Sequence, residues 1–243
     1  ESLMTVPFVH LRLHSEYSLV DGLVKLKSLV STTAERSMPA LALTDETNLF
    51  GLVKFYKAAQ GAGLKPIIGS DLWLQNPHDE SHPYRLTLLA MNDVGYRNLT
   101  ELISKGWTHG QRQGRAILDK QWVLEQSEGL IALSGAREGE IGRHLLSDHE
   151  PEARQLLEEW QAAFPERFYL ELMRTGRPLE EACVHASVKL AIETGTPVVA
   201  TNDVRFLERD DYWAHETRVA IGEGKALDDP RRERRYTEEQ YLK

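Results

Sequence analysis

Four short apolar runs in this 243-residue chain each lead into an imidazole or a carboxylate. Leu11–Leu13 ends at His14, and Leu41–Leu43 ends at Thr44-Asp45-Glu46. Ile67-Ile68 leads through Gly69-Ser70 to Asp71, and Val198–Ala200 ends at Thr201-Asn202-Asp203. Asp21, in Leu19-Val20-Asp21-Gly22, follows the first run closely enough to join them. If the runs are strands of one α/β barrel or doubly wound sheet, their C-terminal ends share the edge where such folds build sites. An Asp/His set spread over several strands is the raw material of a metal-dependent phosphoesterase. Hard oxygens and imidazoles hold divalent ions, and the ions stabilise a phosphoryl transition state. Any single aspartate could instead cap the helix after its strand. The convergence of the set favours a site.

The elements that would position these residues follow from periodicity. Strand candidates are Phe8–Leu13, Ala40–Leu43, Pro66–Ile68 running on to Leu74, Arg85–Ala90, Leu130–Leu133, Phe168–Met173 and Pro197–Ala200. Helix candidates between them are Leu23–Ala34, Leu52–Gln60, Val94–Ser104, Gln121–Gln126, Ile141–Leu146, Pro151–Phe164 and Pro178–Thr194. The last has proline in its first turn, Gly195 past its end, and Val184, Val188, Ala191 and Ile192 on one stripe. Several strand runs are apolar on both faces, as in a parallel sheet covered by helices. Asn76–Pro83 reads as a loop between two strands. Repeated βα units over this length predict a single α/β domain, a barrel or a doubly wound sheet.

Phe8-Val9-His10-Leu11-Arg12-Leu13-His14-Ser15-Glu16-Tyr17-Ser18-Leu19-Val20-Asp21-Gly22 resembles the opening of the PHP (polymerase and histidinol phosphatase) domain. Leu41-Ala42-Leu43-Thr44-Asp45, Asn92 through Leu99 and Val199-Ala200-Thr201-Asn202-Asp203-Val204 resemble its later motifs. From Pro7 to Lys243 the ordered set is similar to the form at the amino terminus of bacterial replicative polymerase III alpha subunits. The resemblance implies a distorted (β/α)7 barrel with metals at the C-terminal rim of its strands. It also implies a larger polymerase chain with magnesium in later domains, a proofreading exonuclease subunit as partner, and a cytoplasmic setting.

The departures from the family pattern bear on mechanism. Of the first motif's two histidines, Arg12 stands in for one and His14 remains. Glu46 stands where a histidine follows Asp45, Asp71 replaces a glutamate, and Arg205 replaces the histidine two residues after Asp203. Arg85 and Ala136 align with a later histidine and with a cysteine or histidine. The resemblance leaves His14, Asp21, Asp45, Asp71 and Asp203 as a vestigial ligand set, with no catalytic residue and no bound metal expected. A guanidinium offers donors only, stays charged and has no lone pair for a metal. Arg12, Arg85 and Arg205 are therefore expected to pair with Asp21, Asp45, Glu46, Asp71 and Asp203 in place of the ions.

Composition narrows the remaining readings. Twenty-nine basic against thirty-seven acidic residues leave a net charge of −8, a poor footprint for gripping nucleic acid. Arg231-Arg232-Glu233-Arg234-Arg235 could touch a phosphate backbone but reads more simply as a segment packed on the rest of the protein. The lone Cys183 excludes an internal disulfide and fits a reducing compartment. No apolar run approaches the roughly 20 residues of a membrane span. Glu1-Ser2-Leu3 read as a remnant ahead of a start at Met4, so residues 4–243 form the expected domain. Thr237-Glu238-Glu239-Gln240 has capping-box spacing and predicts a helix beginning there, in a piece of a longer chain. His10 reads as a core residue beside the site. Three functions stay open: a docking scaffold within a polymerase, an active metal phosphoesterase (3′–5′ exonuclease or pyrophosphatase), and a nucleic-acid module using the arginine run.

Overall fold

The computed structural model describes residues 7–243, so the expected remnant at residues 1–3 and the start at Met4 lie outside the described residues. Eight strands form one sheet: β1 (Ala40–Leu43), β2 (Lys65–Leu74), β3 (Tyr84–Ala90), β4 (Gln111–Arg112), β5 (Arg115–Leu118), β6 (Leu130–Leu133), β7 (Phe168–Met173) and β8 (Val198–Thr201). The helices are α1 (Leu26–Glu35), α2 (Leu52–Gly61), α3 (Asp93–His109), α4 (Lys120–Glu125), α5 (Glu140–Leu146), α6 (Glu150–Ala163), α7 (Glu180–Thr194) and α8 (Tyr212–Glu223).

The order β1–β2–β3–β6–β7–β8 closes through residues 10–14. His10 pairs with Leu41 of β1, and Leu13 pairs with Val204 just beyond β8. Ala42 N–H donates to the His10 carbonyl at 2.9 Å, and His14 N–H donates to the Val204 carbonyl at 3.0 Å. The run at residues 8–13 thus acts as a barrel stave held by isolated bridges. Seven staves make the distorted (β/α)7 barrel.

The parallel sheet that several apolar runs suggest is interrupted at β3. β3 lies antiparallel to both β2 and β6, because the Asn76–Pro83 loop is a short hairpin-type connection with no helix in it to carry the chain back. The reversal matters for the site. It brings the N-terminal end of β3, Arg85, to the rim occupied by the C-terminal ends of its neighbours, opposite Trp73.

Alternation divides the barrel interior into two layers. Leu11, Ala42, Ile67, Leu89, Ile131, Leu133, Tyr169 and Val199 meet as an apolar floor to which all seven staves contribute. Above it, the same staves present charged and hydroxyl side chains. Outside, the largest core packs α3 to α7 on the sheet, around the Trp160 and Phe168 rings. A second core joins α1 and α2 to β1 and to Leu242.

Four further differences have local causes. The β4–β5 hairpin was not read from the sequence because its strands are short, β4 being two exposed polar residues and β5 only four residues long; its turn uses positive φ at Gln113 (50°) and Gly114 (79°). α8 was also missed, since it buries the polar His215 and Glu216. α7 starts at Glu180, not Pro178: Leu179 turns left-handed (φ 66°), and the Glu180 carboxylate folds back to accept from Thr175 N–H at 2.6 Å. No helix begins at Thr237. The capping-type bond from Thr237 N–H to Gln240 Oε1 forms at 3.0 Å, but the chain then pairs Tyr241 with Phe206 and buries Leu242 completely.

Candidate functional site

The rim of the barrel gathers His14, Asp21, Asp45, Asp71 and Asp203 together with Arg12, Glu46, Arg85, Ala136 and Arg205. The entry stave places Arg12 and His14, and the loop after it places Asp21. That loop needs glycine at position 22, where an added Cβ would sit 1.6 Å from the Ser15 carbonyl oxygen. Backbone strain marks the same rim: Thr47 (φ 47°), Ala136 (φ 49°) and Asp203 (φ 47°) turn left-handed just after β1, β6 and β8. Non-glycine residues hold such angles only when their surroundings over-determine them.

Arg12, His14, Asp21, Asp71, Asp203 and Arg205 form one connected lattice, and Arg85 with Glu46 forms a separate pair beside it. Arg12, fully buried, sets Nε 3.1 Å from Asp71 Oδ2 and 3.2 Å from Asp203 Oδ1, with Nη1 3.5 Å from Glu171 Oε1. Arg205 sets Nε 3.1 Å from Asp21 Oδ2 and Nη1 2.7 Å from Asp203 Oδ1. His14 lies between two carboxylates, Nδ1 2.8 Å from Asp21 and Nε2 2.6 Å from Asp71. Thr87 Oγ1 also donates to Asp71. Arg85 stacks 3.5 Å above the Trp73 ring and lies 3.4 Å from Glu46, which also accepts from the Trp73 indole.

Asp45 departs from the expected arginine pairing. It is held by hydroxyls and an amide: Ser15 N–H, Ser15 Oγ and Ser18 Oγ all donate to it at 2.7 Å. Burial raises its pKa, which His14 and those donors offset only in part. Ala136 follows Gly135 (φ 85°), whose N–H donates to Glu171 Oε2 at 3.0 Å, so this position brings backbone to the lattice. His10 is fully buried and donates through Nε2 to the Lys243 carbonyl at 3.1 Å.

Five members escaped the sequence reading. Glu171 is inward on β7 and accepts from Thr201 Oγ1 at 2.6 Å; burial raises its pKa. Arg177 sets Nη2 3.0 Å from Asp203 Oδ2. Glu138 has its pKa pushed up by burial and drawn lower still by Arg177, Arg85 and Arg12. Tyr236 donates its hydroxyl to Asp21 at 2.9 Å. His215 donates Nε2–H to the Asp21 carbonyl at 2.8 Å, and burial holds its pKa down to about 4. Only the period-2 alternation of β7 could have flagged Glu171. The other four lie in loops, a 3-10 turn or a helix carrying no strand-edge signal.

The electrostatics follow from these contacts. Burial opposes charging throughout; at Asp45, Glu171 and His215 it prevails, and at Asp21, Asp71, Asp203, Arg205 and His14 the neighbours reverse its effect. Asp71 and Asp203 are held well below the usual carboxylate range, chiefly by Arg12, and Asp21 by His14 and Arg205. Arg205 rises above its ordinary value through Asp203 and Asp21. For His14, burial and Arg205 depress the pKa, but Asp21 and Asp71 outweigh them and raise it to about 9. The ring is therefore an imidazolium with both nitrogens donating, and it has no lone pair to offer. Among the described residues, no group of three or more His, Cys, Asp or Glu is arranged to hold a metal ion.

The arginine run is largely engaged. Arg232 is buried between Glu216 (3.0 Å) and Glu223 (3.4 Å), Arg231 pairs with Asp229 at 2.7 Å, and Arg234 lies 5.6 Å from the Trp213 ring centre. Among the described residues no helix is long and apolar enough to cross a membrane.

Comparison with known proteins matches this geometry. Residues 10–175 match the PHP domain model. The chain is 59% identical over 99% of its length to DNA polymerase III subunit alpha of Pseudomonas aeruginosa, and 51% identical over 97% to that of Escherichia coli. It spans about a fifth of the length of these relatives (20% of each). A solved candidate metal-dependent phosphoesterase from Bifidobacterium adolescentis shares the fold at a TM-score of 0.53 and 12% identity, covering 82% of this chain and 88% of that one. A barrel of seven staves, its mixed sheet and the matched residues lead to one assignment: the chain belongs to the PHP domain family.

Proposed function

We propose that this chain is the amino-terminal PHP domain of a bacterial replicative polymerase alpha subunit, and that it serves as non-catalytic architecture. The ionic lattice carries the reading. Positions where the family places metal-binding imidazoles hold Arg12, Arg85 and Arg205, and two of these guanidinia bind the carboxylates that would otherwise face an ion. The donor set does not fit a divalent cation: His14 has both nitrogens committed, and Asp21, Asp71 and Asp203 each face at least two cationic or hydroxyl donors. No hydrolytic step is assigned to it.

The whole of residues 4–243 is read as one PHP unit, since the barrel closes only at Val204, beyond β8, and the segment ending at Leu242 packs into the core under α1 and α2. In the full polypeptide, a cytoplasmic enzyme, nucleotidyl transfer with magnesium belongs to other domains. The PHP unit then serves as the seat of the proofreading exonuclease subunit and makes little direct contact with DNA. The relatives' identity as polymerase III alpha subunits supports this setting.

Thermal unfolding with and without a strong chelator, and with added zinc or manganese, tests the reading. A tightly bound native-state ion raises apparent stability by mass action. The expected midpoint is unchanged under all three conditions. A drop of several degrees on chelation returns the chain to the metal phosphoesterases.

A further inference from the structure

Three guanidinium groups outside the ionic lattice converge on one cleft. The cleft, about 900 Å³, opens between the loop at residues 76–83 and α5, and none of Arg12, His14, Asp21, Asp71, Asp203 and Arg205 lines it. Arg137 follows β6, and its Nε is buried with no hydrogen-bond partner. Arg143 of α5 donates to neutral groups, from Nη1 to the His82 carbonyl at 2.6 Å and from Nη2 to the Pro83 carbonyl at 2.9 Å. Arg115 of β5 is exposed and sits 5.5 Å from the centre of the Trp73 ring. Among the described residues, none of the three has a carboxylate oxygen within 4.0 Å. The carboxylates of the same walls are engaged or peripheral. Asp79 accepts from Ser81 N–H at 3.0 Å and from His82 at 2.7 Å, Glu138 is shared with Arg177, Arg85 and Arg12, and Glu152 and Glu233 are exposed.

A buried N–H without an acceptor is costly, and unpaired guanidinia sharing one cleft attract an anion. Their spacing selects its kind. β5 and β6 stand three strand steps apart, with β2 and β3 between them. At ~4.8 Å per step, the backbones carrying Arg115 and Arg137 are roughly 14 Å apart. A single phosphate or carboxylate group is too small to serve that width. An extended peptide rises about 3.4 Å per residue with side chains on alternate faces, so carboxylates at every second position cover the same distance. The cleft also presents acceptors, Glu152 and Glu233, to which peptide N–H groups can donate and a phosphodiester backbone cannot. We propose that the cleft docks an extended acidic segment of a partner protein, its alternate carboxylates paired with Arg115, Arg137 and Arg143. The inference goes beyond the scaffold reading above and does not depend on it.

Fluorescence anisotropy of the 243-residue chain tests it, with two short labelled peptides carrying aspartate or asparagine at every second position. The aspartate peptide is expected to bind about ten-fold more tightly than the asparagine one, or better. Arg137→Met should weaken it about ten-fold and the exposed Arg115→Met about three-fold. Neither substitution should move the unfolding midpoint, so a loss of binding reports on the cleft. Arg231→Ala, outside the cleft, should bind as the parent does. Equal binding of the two peptides overturns the inference, as does an aspartate-peptide affinity unmoved in both methionine variants. An oligothymidylate of matched charge that binds as tightly as the aspartate peptide, and loses affinity in the same variants, also overturns it by assigning the cleft to nucleic acid.

Discussion

The two layers inside the barrel are built from the same staves and behave in opposite ways. The floor, from Leu11 to Val199, is stabilised by removal of apolar surface from water, a non-directional gain that tolerates exchange of one hydrocarbon shape for another. The rim, from Arg12 to Arg205, removes charges from water, and mutual attraction offsets that loss only while every partner is present. The floor is thus robust to substitution in kind, while the rim is all-or-nothing. Removing any one carboxylate from the rim would strand its guanidinium partners.

That contrast can be broken at its strongest point. Asp203 faces Arg12, Arg177 and Arg205, so Asp203→Ala leaves three buried guanidinia short of a counter-charge. Denaturant unfolding should show a loss on the order of 3–5 kcal/mol. A loss below about 1 kcal/mol means that water or rearrangement screens the lattice. At the floor, Leu133→Ala should lose about 2–4 kcal/mol, whereas Leu133→Met should lose less than about 1.5 kcal/mol. Similar losses for both floor variants would remove the distinction in tolerance between the layers.

pH separates the layers further, because only the rim titrates. The His14 pKa is raised from 6.5 to about 9, so its contribution is fully present below pH 6.5 and is lost as pH climbs through 9. That loss should be on the order of 2–3 kcal/mol and absent in His14→Gln. His215, lowered to about 4, acts oppositely: the unfolded chain takes up its proton first, and stability falls from pH 6.5 toward 4. Below about pH 4 the unfolded chain takes up protons on Asp21, Asp71 and Asp203 while the folded chain keeps them charged, so their contribution is progressively lost as pH falls toward their depressed folded-state values. Stability should peak near pH 6.5. A flat profile between 6.5 and 9 would remove the imidazolium from the account.

Smaller effects sharpen the boundary of the lattice. Tyr236→Phe removes one of several donors to Asp21 and should lose about 1 kcal/mol in the same unfolding assay. Arg231→Ala, at an exposed pair with Asp229, should fall within about 0.5 kcal/mol of the parent. A larger change there would bring the arginine run into the structural core.

Much of this arrangement was legible in the residues. Six of the seven staves were readable as apolar runs that became strands, and the seventh, at residues 8–13, as one that became a bridged segment. His14, Asp21, Asp71 and Asp203 stood out because each followed such a run. Asp45 followed such a run as well, yet its partners were not foreseen. Ser15 and Ser18 reach it through a turn that depends on Gly22, and no periodic signal encodes such a turn. Arg85 was found by resemblance alone: it begins its strand, and only the reversal of β3 carries it to the rim. Arg177, Tyr236 and His215 come from segments whose local sequence says nothing about what lies across the barrel.

The central claim is that guanidinium and imidazolium groups occupy the place of metal ions at this rim. Diffraction data collected across the zinc, manganese and iron absorption edges, from crystals grown with those ions present, test it directly. The account predicts no anomalous peak between His14 and Asp203, with Arg12 and Arg205 seated on their carboxylates. A well-occupied peak there, with the arginines turned away, would contradict it.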